Sequence, residues 1–238
     1  MTAATTIRLR FTKRGKVRFT GHRDVARIWE RALRQTGVPI AYTQGFSPRP
    51  RLSFGLALPT GDESDGEYLD LLLDEPVDPE PLCEALTAAL PDGFEVTAAT
   101  TIERSTPSLQ ESVIACTWWF EVRQIERDTA GALARELLEA DVLPYTRRRK
   151  GREVEVDLRS ALGSLVPLGS SERGQAFSVE LATKPFSVRP AELIAATHPE
   201  LELGLSRRTH QWIDGDGARR EPIPMPDLVH ELAEVRAS

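Results

Sequence analysis

Apolar and polar positions alternate from the start of the chain. Ile7, Leu9 and Phe11 fall on one side and Arg8, Arg10 and Thr12 on the other; after the turn-like "KRGK", Val17 and Phe19 continue the apolar series while Arg18 joins the polar one. A period of two is that of a strand with one apolar and one basic face. The period then lengthens. Val25, Ile28, Trp29, Ala32 and Leu33 fall at i, i+3, i+4, i+7 and i+8, which predicts a helix closed by Gly37 and Pro39, with Arg23, Arg27, Arg31 and Arg34 on its outer face. The Gly/Pro-punctuated "AYTQGFSPRP" reads as a loop leading into a strand through Leu52, Phe54, Leu56 and Leu58. A further strand carries Leu69, Leu71 and Leu73. Asp78 followed by Pro79 opens a helix through Leu82, Leu86 and Leu90, and "FEVTAAT" closes the half as a strand.

The order β-α-β-β-α-β over residues 1–104 is the ferredoxin-like pattern. Polar residues 101–111 suit a linker, and residues 105–213 repeat the order less cleanly: a long strand from Val113, a helix opened at Asp128, two strands or one hairpin about Gly151, the strand "AFSVELAT", a short helix from Pro190 and a last strand "LGLSRRTHQWI". The expectation is therefore an α+β fold of two tandem ferredoxin-like (βαββαβ) units with antiparallel sheets, which a single mixed sheet through both halves would contradict. Residues 214–238 read as a flexible tail with a short terminal helix over 228–235.

Charge adds what periodicity does not. Residues 1–60 hold twelve Lys or Arg against Asp24 and Glu30, a net +10, so the remainder of a chain with net charge −6 carries −16. This asymmetry points to a localised anion-binding surface on an acidic body. Cys83 and Cys116 read as buried thiols, and the four histidines (His22, His198, His210, His230) have no ligand spacing, so no metal site and no cofactor are expected. The N-terminus lacks an apolar leader and no apolar run approaches a membrane span, so the protein is expected in the cytoplasm with no membrane partner.

Three constellations are candidates for chemistry. Arg8, Arg10, Lys13, Arg14, Lys16, Arg18, Arg23 and Arg27 form a basic set of strand, turn and helix; the strand arginines opposite Ile7, Leu9 and Phe11 would point at the open sheet face and contact phosphates, while Tyr42 or Phe46 stacks a base. The loop "QGFSPRPR" is stiffened by Pro48 and Pro50 and presents Phe46, Arg49 and Arg51; it reads equally well as a structural crossover. His22, at the start of the first helix, is a candidate general acid or base, or a helix-terminal residue without chemistry. Arg147 and Arg149 in "RRRKGR", and "SRRTH" (206–210), would thicken a basic surface if the halves face each other. Glu67 and Asp70 in "EYLD" fall on opposite strand faces, poor geometry for a shared metal.

The blocks "RFTGHRD", "ERALRQTGVPIAYTQGFSPRPRLSFGLALPTG" and "EYLD" occur together and in order, and with the later "RRRKGREVEVDLRSAL" they resemble the radical-SAM-associated family, a bacterial domain of unknown function. Arg18, Phe19, His22, Asp24, Glu30, Arg31, Gly45, Phe46, Pro48, Arg49, Pro50, Arg51, Ser53, Gly55, Glu67 and Asp70 match its pattern; Gly21, Arg23 and Ser47 depart from it, and "DLRSAL" lacks its proline. The resemblance implies a radical SAM protein with a cobalamin-binding-type domain as partner, and no assigned activity. The expected function is a non-catalytic accessory protein that presents a substrate to that enzyme and binds RNA through its basic surface. The alternatives are a metal-independent RNA-cleaving or RNA-modifying enzyme using His22, and a pure protein-docking subunit.

Overall fold

The computed structural model describes residues 4–149, 151–215 and 217–223. The first half runs β1 (Thr5–Lys13), a 3-10 turn (Gly15–Phe19), α1 (His22–Thr36), β2 (Leu52–Phe54), β3 (Glu63–Leu73), α2 (Pro79–Ala89) and β4 (Phe94–Ile102). The short α3 (Leu109–Ser112) leads into the second half: β5 (Val113–Arg123), α4 (Arg127–Glu139), β6 (Pro144–Arg149), β7 (Arg152–Asp157), β8 (Leu162–Ser170), β9 (Gly174–Ala182), α5 (Pro190–Thr197), β10 (Leu203–Gly215) and β11 (Ala218–Arg220). The local signals account for most boundaries. Gly37 ends α1 in the left-handed conformation at φ 69°, and the Asp78 side chain caps α2 by accepting from the Glu80 N–H. α4 begins at Arg127, with Glu126 at its N-cap and Asp128 inside its first turn.

The α+β expectation holds, and the expectation of two separate sheets does not. One nine-stranded sheet runs β4-β1-β3-β10-β5-β9-β8, with β2 added to β3 and β11 to β10, while β6 and β7 form a separate hairpin. Its strand pairs are antiparallel except β3–β10, which is parallel over Arg207–Glu63 and Arg208–Ser64. β2 and β10 use the same edge of β3 at different heights, β2 at 69–71 and β10 at 63–64. The long β3 thus leaves a stretch of edge that short β2 does not cover, and β10 completes it. Unpaired strand edges invite such pairing.

Each half packs its helices on one sheet face. Ile7, Leu9 and Phe11 of β1 and Leu69, Leu71 and Leu73 of β3 meet Val25, Trp29 and Leu33 of α1 and Leu82 and Leu86 of α2. Phe11 meets Trp29 edge-on with ring centroids 4.8 Å apart. In the second half Phe120 and Phe177 stack at 5.2 Å beneath Leu133 and Leu137 of α4 and Leu193 of α5. Trp118 is buried and Trp119 only partly so, as their alternation on a strand requires.

The opposite face of the first half is only partly open. Tyr68 lies under Leu109 and Ile223, so α3 and the segment after β11 cover that face around Tyr68, and part of the stretch expected as a flexible tail is an extension of β10 paired with β11. The terminal helix expected at 228–235 lies outside the described residues. Among the described residues no helix is long and apolar enough to cross a membrane.

Candidate functional site

The arginines of the first strand turn inward. Arg8 is 2% exposed and holds Asp70 through two hydrogen bonds, Nε to Oδ1 at 2.8 Å and Nη2 to Oδ2 at 2.9 Å. Arg10 is buried beside Thr97 Oγ1 at 3.1 Å and Glu221 at 3.8 Å. Neither is placed to meet a phosphate, which corrects the expectation of a basic groove centred on this strand. β1 alternates as its periodicity predicts, but its second face meets Asp70, Tyr68 and Glu221 from distant sequence instead of solvent.

The other expected cations divide. Arg18 is half-buried, 3.8 Å from Glu63, with its guanidinium 4.7 Å over the ring of exposed Phe19. Arg23 and Arg27 are exposed on α1, and Arg27 pairs with Asp24 at 3.0 Å. Arg147 is held internally by Glu192 at 2.7 Å, the Ser187 carbonyl at 3.1 Å and the Phe186 ring, tying the β6–β7 hairpin to α5. Arg149 closes β6 opposite Arg152, and its side chain lies outside the description. In "SRRTH", Arg207 and Arg208 are spent on Glu63 and Glu67. His22 is exposed at the start of α1, its ring edge-on to Phe54 at 5.3 Å, with no hydrogen-bond or ion-pair partner among the described residues.

What remains clusters around the Pro-rich loop. Tyr42 bridges to Pro50, the Thr43 N–H donates to the Arg49 carbonyl at 2.9 Å, and the Arg49 N–H returns to Thr43 Oγ1 at 3.0 Å. The Arg51 N–H then donates to Ala41 O at 2.8 Å, while Arg51 O accepts from Leu72 N–H at 3.0 Å, stitching the loop's end to β3. The loop is closed by its own backbone, and Gly45, at φ 134°, makes the turn that an L side chain would oppose. Phe46 stands at its tip, fully exposed. An unburied phenyl ring on an ordered loop costs solvation unless something covers it.

Beneath this loop lies a cavity of about 450 Å³ lined by Thr6, Thr43, Arg51, Ser53, Asp70 and Arg104, among others. The register Ser53–Asp70 places the hydroxyl and the carboxylate on one face of β2 and β3, and the adjacent pair Phe54–Leu69 sends Phe54 to the helix side. His22 and Phe54 therefore sit on the opposite side of the sheet from Arg51, Ser53 and Asp70. The matched motif residues do not form one cluster. Because Arg8 neutralises Asp70, the charge of the cavity is set by Arg51 and Arg104, neither of which has an ion-pair partner among the described residues. Arg104 lies in the segment that reads as a linker, and no pattern in the sequence singles it out.

The seam between the halves holds a second group of charges. Lys13 is buried, and its ammonium donates to the carbonyls of Arg18 at 3.2 Å and Thr20 at 2.9 Å, anchoring the 3-10 turn; burial lowers its pKa against the pull of Glu67 and Asp62. Burial pushes the Cys116 thiol up to about 11, which leaves it protonated and unreactive. Among the described residues no group of three His, Cys, Asp or Glu side chains has metal-binding geometry.

A family model matches residues 6–202, most of the chain. The chain belongs to DUF2344, a family of uncharacterized proteins conserved in bacteria. The DUF2344 match covers every residue named around the cavity and stops at the threshold of β10, the strand that brings Arg207 and Arg208 to the first half. No curated protein matches the chain.

Proposed function

We propose that this DUF2344 chain is a non-catalytic accessory protein that binds single-stranded RNA and presents it to a radical SAM enzyme carrying a cobalamin-binding-type domain. The observation that carries the RNA reading is fully exposed Phe46 on the same loop as Arg49 and Arg51, with Arg51 lining a cavity together with Arg104 and none of the three guanidiniums having an ion-pair partner among the described residues. A stacking ring beside guanidinium groups is the combination by which proteins hold unpaired nucleotides. Exposed Tyr42 supplies a second ring at the base of the same loop. The interface is smaller than the sequence implied: Arg8 and Arg10 serve by fixing Asp70 and the sheet, and the contacts are made by the loop and the cavity.

The partner rests on the resemblance of the motif blocks alone. We read each half as a ferredoxin-like unit, supported by the strand orders β4-β1-β3-β2 and β10-β5-β9-β8, which repeat the same arrangement of first, second, third and fourth strands. For the alternative in which His22 is a general base, the exposed ring lacks an orienting carboxylate, so the binding reading is preferred.

The test is a salt titration of single-stranded RNA binding. Affinity should fall by roughly 0.7 log unit per log unit of salt for each phosphate neutralised, and Arg51→Ala or Arg104→Ala should each flatten the slope by about one contact. Phe46→Ala should cost about 1–3 kcal/mol and leave the slope unchanged. Affinity indifferent to salt and to these substitutions would sink the proposal, and metal-free cleavage lost in His22→Ala would replace it with the enzyme reading.

A further inference from the structure

A second cleft, of about 600 Å³, lies in the other half between α4 and the end of β8, lined by Arg127, Asp128, Gly131, Arg135, Leu168 and Gln175, among others. Three features there lack a structural reason. Arg127, Gly131 and Arg135 follow one another at i, i+4 and i+8, a single stripe of α4, and neither guanidinium has an ion-pair partner among the described residues. Gly131 sits inside the helix, where glycine is unfavourable, yet a Cβ added there would meet no atom within 4 Å. Packing therefore does not require the glycine; its absent side chain keeps the floor between the two arginines clear. Gln175 is only 7% exposed, and while its Nε2 contacts Ser170 Oγ at 3.4 Å, its Oε1 has no partner. Exchanging the two amide atoms leaves one of them unpaired in either orientation. Gln175 borders the cleft, and its Oε1, shielded from solvent in this conformation, has no hydrogen-bond partner, so a turn of the amide toward the cleft would give it one on a ligand.

We propose that this cleft binds a nucleoside 5′-monophosphate. Two arginines call for a ligand of more than one negative charge, and a phosphomonoester carries close to two at neutral pH. The Gln175 amide donates or accepts, which suits the edge of a base. Leu168, 49% exposed, offers an apolar wall. The Asp128 carboxylate opposes a bare anion and accepts from a hydroxyl, so it favours a phosphate attached to a sugar over inorganic phosphate. The volume is within the range of small-molecule sites. This site is separate from the proposed RNA interface and does not depend on it.

The experiment is calorimetric titration of the full chain with adenosine and guanosine 5′-monophosphates, the nucleosides, and inorganic phosphate. At least one monophosphate should bind and the nucleosides and phosphate should bind at least tenfold more weakly. Arg127→Ala, Arg135→Ala and Gln175→Leu should each weaken that monophosphate tenfold or more. Gly131→Gln should abolish its binding while thermal unfolding stays at or above that of the unaltered chain and RNA affinity is unchanged, which separates a blocked site from a damaged fold. No binding at millimolar concentration, equal binding by inorganic phosphate, or full affinity in Gly131→Gln would overturn the proposal.

Discussion

Asp62 shows how the environment of one residue sets its chemistry. It lies on the turn before β3, and burial pushes its carboxyl up to about 6, against the opposing pull of Arg189, Arg208 and Lys13. The folded protein thus binds a proton more tightly at this site than the unfolded chain does. The stability this contributes is fully present below the ordinary carboxyl value of 3.8 and is lost as pH rises through about 6. Asp62→Asn keeps the neutral form at every pH, so it should stabilise the protein at pH 7 by about 1–2 kcal/mol, the full shift being reduced by partial solvent exposure, and should flatten the stability profile between pH 4 and 6. Denaturant unfolding at pH 4, 5, 6 and 7 checks this; a destabilised Asn variant at pH 7 would show that Asp62 acts as a charged partner of Arg208 and Lys13. The arginines of β1 teach the reverse lesson. Arg8 and Asp70 are 62 positions apart in sequence and two hydrogen bonds apart in space. The strand pattern establishes that Arg8 faces away from the helices; whether water or a carboxylate waits there depends on a register that local periodicity does not carry.

Among the elements, the legible ones are those whose signals are local. Helix α1 with its glycine stop, α2 with its aspartate cap and proline, and the β6–β7 hairpin turning at Gly151 all follow from adjacent residues. The cover over Tyr68 does not, because it is made by a four-residue helix and the segment after β11, neither of which has a long enough apolar period to be read. The loop between α1 and β2 is intermediate: its stiffness is legible from Pro48 and Pro50, and its closure by Thr43 and Ala41 is not. That stiffness should matter for binding more than for folding, since ordering a loop on contact consumes affinity. The double change Pro48→Ala and Pro50→Ala loosens the loop without removing a charge or a ring. RNA affinity measured at fixed salt should fall about 3- to 10-fold with thermal stability nearly constant. A drop in melting temperature with no loss of affinity would identify the loop as a structural crossover instead.

At the scale of the whole molecule, the halves share a sheet through the shortest of links, two residue pairs of parallel β3–β10, so side chains must carry much of the joint. Arg208 is the principal one. It leaves β10, crosses into the first half, chelates Glu67 at 2.6 and 2.8 Å and donates to the Leu56 carbonyl at 2.8 Å, with the Trp118 ring beside it. Burial is the largest influence on it and would lower its pKa; Glu67 and Cys116 together outweigh this and raise it, so the guanidinium stays charged. Ser64 Oγ donates to Arg208 O at 3.2 Å, and Gln211 Nε2 to Gly66 O at 2.7 Å, on the same seam. Removing one member of a buried pair strands the other's charge and costs about 3–5 kcal/mol, far more than a surface ion pair, whereas removing both relieves that penalty. Arg208→Ala should therefore destabilise strongly, and Arg208→Ala with Glu67→Ala should be less destabilising than the two single effects added, with a coupling of about 1–3 kcal/mol. Tryptophan positions make the joint visible: Trp29 lies in the first core, and Trp118, Trp119 and Trp212 lie in the second half. In denaturant, fluorescence of a Trp29-only variant and of a variant lacking Trp29 should change at one midpoint when the seam is intact and at two midpoints in Arg208→Ala. Coincident transitions in that variant, or strictly additive single changes, would place the coupling of the halves in the backbone pairing and the covered sheet face rather than in Arg208 and Glu67.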